Sequence, residues 1–417
     1  MIEVYGNATL TIAASRAKDS EEGFLSERLR TYLPLPVEID GVSGEVFGFT
    51  LPIKLVGEPR HGMEMEGEPI TTRGWTLQER YLSTRTLHFG TSQIFFECAQ
   101  CFLAEDHCSV ADMPYTVYRL GGEGQSTLDI ECWRKIVGQY SQRKLSVETD
   151  KLPALAGLAS QLLTLLTPPY DRSLPNTRYL AGLWRDDFIY GLGWARPHNS
   201  PTGLRPQQYC GPSWSWASIH GVVGYEIWRR HRGQLARFVD AAVDLHSHQH
   251  PFGMVTGGWA ILQARLLRLA QNEKSRVGPS GITFLSAHEH GVHFPLTVTW
   301  DSESYLMPKS ESEEPLRAGG MDILAMPLYW SQGTFAPNNS PTIEFRRPFF
   351  LIIKPAEHQV AAHSGAPGYT RVGYAQGPMI AKGDRLMKGE DEVEQLRVLE
   401  GWISAGTTYE LETILLL

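Results

Sequence analysis

Residues 73–98 read RGWTLQERYLSTRTLHFGTSQIFFEC and contain the clearest local folding signals of the chain. The segment TLQERYL (76–82) opens like a helix, because Thr76 and Glu79 have the spacing of a capping box. The segment LHFGTSQIFFEC (87–98) has two β-prone runs around a Gly-Thr-Ser turn, which predicts a hairpin. The stretch therefore predicts one helix followed by one antiparallel strand pair.

The whole chain divides by composition into three parts, which together predict a mixed α+β fold. Residues 1–111 combine short strands with polar loops, and TLTIAA (9–14) has the apolar content of a strand packed on both faces. Residues 112–200 have helical periodicity. In residues 201–417, aromatic and β-branched runs alternate with Gly and Pro. We expect a partial α/β domain, a helical middle segment and a C-terminal antiparallel β-rich domain, either a sandwich or a barrel.

Three helices are predicted in the middle segment. In the first, four apolar residues line one face: Ile130, Trp133, Val137 and Tyr140. The second covers residues 151–166 and the third covers residues 178–194. Further along, Trp214 and Trp216 are two residues apart, so a strand would place them on one face. We expect both indoles to be buried where the helical segment meets the β-rich part.

The composition is that of a globular protein and narrows the classes of function. The 417 residues are 42% hydrophobic and 20% charged, enough for two or three domains of about 100–200 residues. A net charge of −8 without a basic block argues against a nucleic-acid or anionic-membrane binder. Five cysteines imply no disulfide framework and favour a reducing compartment. With no signal peptide and no apolar run near the ~20 residues of a membrane helix, we predict a cytoplasmic protein.

Three stretches together resemble the fungal heterokaryon-incompatibility (HET) domain proteins. They are residues 4–28 (VYGNATLTIAASRAKDSEEGFLSER), residues 73–98, and a downstream set formed by residues 140–159, 179–194 and 212–221. The stretch 73–98 is the specific one. Its residues that fall where the family's signature has them are Arg73, Trp75, Gln78, Glu79, Leu82, Ser83, Arg85 and Cys98. The resemblance is strong over the first half of the chain and looser over the second.

The resemblance implies a role in self/non-self recognition, in which HET proteins trigger programmed cell death after incompatible fusion. It also implies a domain that acts as a death effector, with a fold similar to Toll/interleukin-receptor-type domains. The family's domain usually begins with two strand motifs upstream of the stretch that matches residues 4–28, and neither motif is present. We therefore expect a HET domain without its N-terminal half, an apolar patch near residues 4–14, and self-association through that patch.

Glu79 is the sharpest candidate for chemistry, and two roles are open for it. A carboxylate in a signature motif can stabilise an oxocarbenium-like transition state during N-glycosidic cleavage of a nucleotide. The capping box with Thr76 uses the same carboxylate structurally, and this role is favoured. For Arg73 and Arg85 we expect side chains that tie the hairpin to the helix, for example by pairing with Glu97, rather than phosphate binders.

Two groups of residues have the chemistry of metal ligands. The first is crowded into a short segment without the usual loop between ligand pairs: Cys98, Cys101, His107 and Cys108. The second consists of two histidine clusters, which fit exposed loops or strand ends better than a site: His246, His248 and His250, and His288, His290 and His293. The sequence also has no phosphate-binding glycine loop, nucleophile elbow or H-E-x-x-H motif. We predict no metal and no cofactor.

The sequence thus favours a signalling protein of the HET family that acts through protein contacts and is not an enzyme. One alternative is a nucleotide N-glycohydrolase that uses Glu79. The other is a metal-dependent hydrolase built on the histidine clusters. The recognition partner is not indicated by any motif.

Overall fold

The structure is a computed structural model that describes residues 1–27, 32–49, 65, 67–98, 101–105, 109–110, 130–166, 178–197, 204–225, 230–270, 276–277, 282–289, 292–302, 317–318, 321–335, 343–357, 365–381, 401 and 411–417. The chain forms two compact units. Unit 1 comprises Met1–Leu128 and Arg143–Leu145, and unit 2 comprises Asp129–Gln142 and Ser146–Leu417. The predicted mixed α+β fold is confirmed at this level, with few helices and one large β-rich sheet. No helix in the described part of the chain has both the length and the apolar character needed to cross a membrane.

Unit 1 is built around a five-stranded sheet and one longer helix. Its elements in chain order are α1 (Ile2–Gly6), β1 (Thr11–Ala13), β2 (Tyr32–Ile39), β3 (Val42–Phe49), α2 (Gly74–Leu82), β4 (Arg85–Phe89), β5 (Ile94–Cys98), β6 (Phe102–Ala104) and β7 (Ser109–Val110). The sheet has the order β1-β4-β5-β6-β7, and β2 and β3 form a separate hairpin. Strand β1 runs parallel to β4, while the other neighbouring strands are antiparallel.

The stretch 73–98 folds into a helix followed by a hairpin, as predicted. Helix α2 precedes the antiparallel pair β4–β5, in which Arg85 lies opposite Cys98 and Phe89 lies opposite Ile94. The alternation of side chains along β4 and β5 turns one face of the hairpin into the interior of unit 1. This face supplies polar residues to the site described below.

The predicted capping box is wrong. Helix α2 begins at Gly74, and its N-cap is Arg73, which makes no side-chain capping bond. Thr76 therefore lies in the first turn, where Oγ1 donates to the carbonyls of Ile70 (2.6 Å) and Arg73 (2.8 Å) instead of accepting from an amide. Glu79 consequently lies in the middle of the helix, where its carboxylate does not act as a cap.

Gly74 allows α2 to start very close to the segment Arg143–Leu145. Its amide donates to the carbonyl of Lys144 at 2.7 Å. A Cβ atom at position 74 would lie 2.5 Å from Cδ2 of Leu145, so a larger residue would push this segment away. The glycine thereby brings Arg143 beside the first turn of α2.

The stretch TLTIAA (9–14) forms only a short strand at the edge of the sheet. Among the described strands, β1 pairs with β4 alone. Ile12 is 60% exposed, so the prediction of a strand packed on both faces is wrong. Val4, Leu10 and Ile12 are all exposed, in agreement with the predicted apolar patch. Self-association through this patch stays a prediction.

A small apolar core lies against β5 and β6. The rings of Phe95 and Phe102 are 5.4 Å apart between centroids, and they are buried together with Met65 and Ala104. Glu97 is two residues after Phe95 on the same face of β5 and is also buried. The strand therefore carries a carboxylate into the interior, where it needs a positively charged partner.

Unit 2 contains the remaining elements, most of which are strands. In chain order they are α3 (Ile130–Tyr140), α4 (Ala156–Leu166), β8 (Tyr179–Leu180), β9 (Leu183–Trp184), α5 (Phe188–Gly191), β10 (Arg230–Gln234), β11 (Arg237–Leu245), β12 (Val255–Ala264), β13 (Leu267–Ala270), β14 (Arg276–Val277), β15 (Ile282–Glu289), β16 (Val292–Trp300), β17 (Arg317–Ala318), β18 (Met321–Asp322), β19 (Leu324–Phe335), β20 (Ile343–Pro355), β21 (Gly368–Gln376), β22 (Ile380–Ala381) and β23 (Glu412–Leu416).

The large sheet of unit 2 closes on itself. Strand β21 pairs with both β16 and β20, so that β16, β15, β13, β19, β20 and β21 form a ring of antiparallel neighbours. Strands β23, β12 and β11 extend the sheet from β21, and only the β21–β23 pair among them is parallel. The predicted antiparallel β-rich domain is confirmed, and of the two expected forms it is the barrel.

The first two predicted helices of the middle segment are present, and the third is not. Helix α3 buries three of the predicted face residues: Trp133, Val137 and Tyr140. Helix α4 starts at Ala156, directly after a 3₁₀ turn at Pro153–Leu155. Residues 178–194 instead form the short hairpin β8–β9 and the single-turn helix α5.

The turn of the β8–β9 hairpin explains why the third helix does not form. Ala181 and Gly182 have φ angles of 44° and 95°, a left-handed conformation that ends a helix and suits a tight hairpin. The Gly182 carbonyl accepts hydrogen bonds from Nε1 of Trp133 (2.7 Å) and Nε1 of Trp216 (3.1 Å). A Cβ atom at position 182 would lie 2.4 Å from Nε1 of Trp216, so only glycine fits there. Two distant indoles thus hold the turn.

Trp214 and Trp216 are both buried, as predicted, but they do not lie on a strand. Trp216 begins a 3₁₀ turn, Trp216–Ser218. The Trp214 ring packs on Phe188 at 5.3 Å and the Trp216 ring packs on Tyr140 at 5.8 Å between centroids. The two indoles therefore anchor α5 and α3 by separate contacts rather than from one shared face.

One buried ion pair joins the barrel to the segment that follows α5. Arg371 on β21 donates from Nε to Oδ2 of Asp301 at 2.9 Å, and both side chains are almost fully buried. Its Nη1 and Nη2 donate to the carbonyls of Leu192 (2.6 Å) and Trp194 (2.5 Å). The guanidinium also lies 3.2 Å from the centroid of the Trp194 ring. A buried charge is costly unless it is fully paired. These bonds therefore favour one arrangement of β21, Asp301 and the segment after α5.

We predict that Arg371→Met and Asp301→Asn each lower the free energy of unfolding by about 3–5 kcal/mol, because each leaves one buried group without its partner. Lys354→Met and Glu357→Gln are matched controls for a pair whose carboxylate is 70% exposed, and each should cost less than about 1 kcal/mol. Denaturant unfolding measures all four variants. Similar losses in the two pairs would contradict the prediction.

Candidate functional site

A small cavity in unit 1 lies against α2, β1 and β4. Its volume is about 110 Å³. Its polar and charged lining includes Tyr5, Thr76, Glu79, Arg80, Thr86, His88 and Arg143. The cavity thus gathers ionisable side chains from α1, α2, β4 and the segment Arg143–Leu145. Because one of them is Glu79, we take this cavity as the candidate site.

Tyr5, on α1, lies beside Glu79 at the cavity. Burial and the adjacent negative charge of Glu79 raise the pKa of Tyr5, and the charge of Arg73 opposes this shift. The phenol therefore stays protonated at neutral pH. The Glu79 carboxylate has several lone pairs, so it can accept a hydrogen bond from a ligand.

Arg80, Glu97 and His88 form a hydrogen-bonded chain beside Glu79. Nε of Arg80 and Nε2 of His88 lie 2.8 and 2.9 Å from Oε2 of Glu97. Burial by itself would raise the pKa of Glu97, but the charge of Arg80 and the bond from His88 outweigh it and hold that pKa far below its usual range. Glu97 is therefore ionised, and it compensates the charge of Arg80.

Arg143 lines the same cavity, but it has no ion-pair partner like the one that Glu97 provides for Arg80. Its Nη1 donates to Oγ1 of Thr76 at 3.0 Å and to the carbonyl of Arg73 at 3.3 Å. No carboxylate among the described residues pairs with it. Burial, and then the charge of Arg80, lowers the pKa of Arg143 to about 10. The guanidinium is still charged at neutral pH, so the cavity contains a positive group that makes no ion pair among the described residues.

Thr86 contributes a buried hydroxyl to the cavity. The residue is 1% exposed, and within the described part of the chain its Oγ1 has no hydrogen-bond partner. A buried polar group without a partner costs about 1–3 kcal/mol, so a ligand or water that bonds it would be stabilised. Two guanidiniums, an unpaired hydroxyl and a carboxylate in one small space have the chemistry of a site for a polar anion.

The structure brings only part of the signature to this cavity. Glu79 is the one signature residue that lines it. Three others are buried in α2 or at its end: Gln78, Leu82 and Ser83. The remaining ones are half-buried or exposed: Arg73, Trp75, Arg85 and Cys98. Most of the signature therefore shapes the helix and hairpin that carry the site.

The predicted pairing of Arg85 with Glu97 is wrong. Arg85 is exposed at the start of β4, whereas its neighbour Thr86 lies directly opposite Glu97 in the ladder. Successive side chains of a strand point to opposite faces, so Arg85 is turned away from this carboxylate. Arg80, one turn from the end of α2, takes the place that the sequence interpretation gave to Arg85.

Sequence analysis also missed His88 and Arg143. His88 lies in the predicted hairpin, two residues after Thr86, so strand alternation already places it on the same face. Arg143 lies in the YSQRKL part of the downstream stretch that resembles the family. No local signal connects it with α2, because the contact with Thr76 spans 67 residues of sequence.

Neither candidate group of metal ligands assembles in the described part of the chain. No group of three or more His, Cys, Asp or Glu side chains there converges as a metal site would require. The sulfurs of Cys98 and Cys101 are 3.6 Å apart, while His107 and Cys108 lie outside the described residues. The first histidine cluster is exposed after β11: His246, His248 and His250. In the second, His290 lies outside the described residues, and of the others only the backbone is described, where His288 pairs with His293.

Unit 2 has a second polar cluster next to a larger cavity of about 590 Å³. Cys210 lines this cavity, and its thiol donates to the carbonyl of Glu148 at 3.2 Å. Nε2 of His220 lies 2.8 Å from Oε1 of Glu148, and this bond is the main cause that lowers the pKa of Glu148. Lys151 donates to the carbonyl of Ile219, and burial lowers its pKa to about 8. Burial raises the pKa of Cys210, so its sulfur is a thiol and not an activated nucleophile.

Comparisons with known proteins add no identification. No protein-family model matches the chain, and no match is found among the curated proteins or the solved structures. The site is therefore interpreted from its own geometry and chemistry.

We predict that Glu79→Gln changes the free energy of unfolding by less than about 1 kcal/mol, because the side chain is only half-buried and Gln has nearly the same shape. Thr76→Val should cost about 1–3 kcal/mol, because its buried hydroxyl bonds two carbonyls and Arg143. Denaturant unfolding of both variants checks this order. A larger loss for Glu79→Gln would restore a structural role for the carboxylate.

Lys151 predicts a specific pH dependence of stability. Its pKa is about 8 in the folded protein and 10.5 ordinarily, so the unfolded chain binds more protons between these values. Stability should therefore rise from pH 8 to 10.5 as the buried amine loses its charge. Relative to Lys151→Met, the rise should be on the order of 2 kcal/mol, after a reduction for partial exposure. Denaturant unfolding across this range measures it, and an equal rise in the variant would contradict the assignment.

Proposed function

We propose that the chain is a HET-family protein that acts in self/non-self recognition and cell-death signalling, mainly through protein contacts. The proposal rests on the resemblance of residues 4–28 and 73–98 to that family. These two stretches belong to one compact unit, in which they form α1, β1, α2 and the β4–β5 hairpin. The part of the chain that carries the resemblance therefore behaves as one structural element.

The observation that supports a role in protein contacts is the edge strand β1. Ile12 is 60% exposed and Leu10 is 44% exposed, beside a strand that pairs with β4 alone among the described strands. An exposed edge with apolar side chains can accept a strand from another chain, since its free backbone groups supply the hydrogen bonds. We propose that this edge binds a strand of a partner protein.

The signature residue Ser83 and its neighbour Thr84 support this edge. Oγ of Ser83 bonds Oγ1 of Thr11 at 2.8 Å, and Oγ1 of Thr84 donates to the carbonyl of Ala8 at 3.0 Å. Oγ of Ser83 also donates to the carbonyl of Glu79, which anchors it to α2. The end of the signature helix thus holds β1 in place, and a rigid edge costs less entropy when it binds.

A nucleotide N-glycohydrolase that uses Glu79 is the alternative. Its support is that Glu79 lines a cavity and is not a cap. The cavity of about 110 Å³ is small for it, because pockets for drug-sized ligands have volumes of roughly 300–1,000 Å³. A metal-dependent hydrolase has less support still, since the described histidines His246, His248 and His250 are exposed and do not converge.

Expression of the full chain in fungal cells, with cell death as the readout, tests the proposal. We expect Ile12→Lys to abolish most killing, because a charge at the edge opposes strand addition. Val147→Lys is the matched control: Val147 is 51% exposed but lies outside any strand, so killing should persist. Protein levels and thermal unfolding of both variants establish that the proteins are equally folded.

Two results would overturn the proposal. One is that Ile12→Lys kills as well as the unchanged chain. The other is that the unchanged chain depletes a cellular dinucleotide while it kills, and that Glu79→Gln, at normal stability, abolishes both the killing and the depletion. The second result would favour the N-glycohydrolase, and a direct assay of nucleotide cleavage by the purified chain would then identify the bond that is broken.

A further inference from the structure

We propose that the cavity between α2, β1 and β4 binds a small oxyanion that also carries an O–H donor, of which hydrogen phosphate is the simplest. The inference rests on the side chains that line the cavity, and it does not depend on the proposed role in cell death. The sequence itself contains no phosphate-binding glycine loop, so the ligand class follows from the structure. Four observations carry it: the charge of Arg143, the hydroxyl of Thr86, the volume of the cavity and the position of Glu79.

The first observation is the Arg143 guanidinium, which makes no ion pair among the described residues. Arg80 is paired with Glu97, whereas Arg143 bonds only the Thr76 hydroxyl and the Arg73 carbonyl. Both hydrogen bonds of Arg143 are made by Nη1, so Nε and Nη2 keep three N–H donors that no described residue accepts. A guanidinium with a free fork of this kind is suited to a bidentate bond with an oxyanion.

The second observation is the Thr86 hydroxyl. It is buried, lines the cavity and has no partner in the described structure. Thr86 lies directly opposite Glu97, whose oxygen Oε2 already accepts bonds from Arg80 and His88. An oxyanion in the cavity offers acceptor oxygens to this hydroxyl and to Arg143 together. Ligand binding would thus supply acceptors to the Thr86 hydroxyl and to the remaining N–H groups of Arg143, for which the described residues supply none.

The third observation is the size of the space. A single water needs roughly 10–15 Å³ of cavity volume, so about 110 Å³ holds several waters or one tetrahedral oxyanion. Pockets for ligands as large as a nucleotide exceed roughly 300 Å³. The volume therefore fits a free oxyanion or a terminal phosphate group, and it excludes a whole nucleotide from the cavity.

The fourth observation is Glu79, which at first opposes an anion. Its carboxylate lines the same cavity, beside Tyr5. A fully ionised oxyanion such as sulfate places only acceptors against this carboxylate, which is repulsive. Hydrogen phosphate has an O–H that donates to a carboxylate oxygen. We therefore expect the site to prefer hydrogen phosphate, because the Glu79 carboxylate repels the acceptor oxygens of sulfate.

Calorimetric titration of the full chain with inorganic phosphate, and separately with sulfate at equal ionic strength, tests the proposal. We expect one saturable phosphate site per chain and sulfate affinity at least about tenfold weaker, equivalent to the loss of one charged hydrogen bond. Glu79→Gln should reduce this preference, because an amide can donate to sulfate. Phosphoserine is a third titrant, and it should bind more weakly than inorganic phosphate, because a phosphate monoester has mostly lost its O–H at neutral pH.

Variants of the lining side chains assign the site. Arg143→Met should weaken phosphate binding by about tenfold or more. Thr86→Val should weaken it several-fold, and because the hydroxyl has no partner among the described residues, this variant should remain folded. Arg85→Met is the matched control: it removes an exposed guanidinium beside Thr86, and binding should not change.

Three outcomes would overturn the inference. The first is no saturable binding of inorganic phosphate to the full chain. The second is equal affinity for phosphate and sulfate, which would remove the role of the O–H donor. The third is an equal loss of binding in Arg85→Met and Thr86→Val, which would indicate general attraction by surface charge.

Discussion

The buried pair of Arg371 and Asp301 is the interaction on which the arrangement of unit 2 depends. The guanidinium bonds a carboxylate next to β16, two carbonyls after α5 and the face of the Trp194 indole, while its own strand completes the ring of the barrel. Removing two charges from water is costly, and the cost is recovered only if every bond forms together. The barrel and the helical segment therefore have one mutual arrangement, in which the two indoles Trp214 and Trp216 are enclosed.

In unit 1, only some of the buried polar and charged groups have partners among the described residues. Arg80, Glu97 and His88 form a closed set, so the buried carboxylate and its partner arginine are balanced. Arg143 and Thr86 are not matched in this way within the described residues, although both line the same cavity. A fold selected only for stability gains nothing from such groups, because an unpaired buried donor is costly. Their convergence is the physical basis for interpreting the cavity as a binding site.

The two proposals for unit 1 concern neighbouring surfaces, because Ile12 of the edge strand also lines the cavity. Helix α2 carries Glu79 and Arg80 to the cavity, and the residue after its end, Ser83, holds the edge strand β1. A ligand in the cavity would contact the same helix that positions the edge. Partner binding and anion binding influence each other if an anion in the cavity changes the free energy of partner binding at β1. The two experiments measure these events separately.

The sequence by itself determined the features that depend on neighbouring residues. Apolar periodicity located α3, the turn residues located the β4–β5 hairpin, and alternating short runs indicated an antiparallel β-rich domain. Only the tertiary structure decided which polar groups meet. The third helix failed because distant indoles hold Gly182, and Glu97 paired with Arg80 because strand alternation turned Arg85 outward. Arg143 reaches Thr76 across 67 residues and Arg371 reaches Asp301 across 70, and no local pattern encodes contacts at such separations.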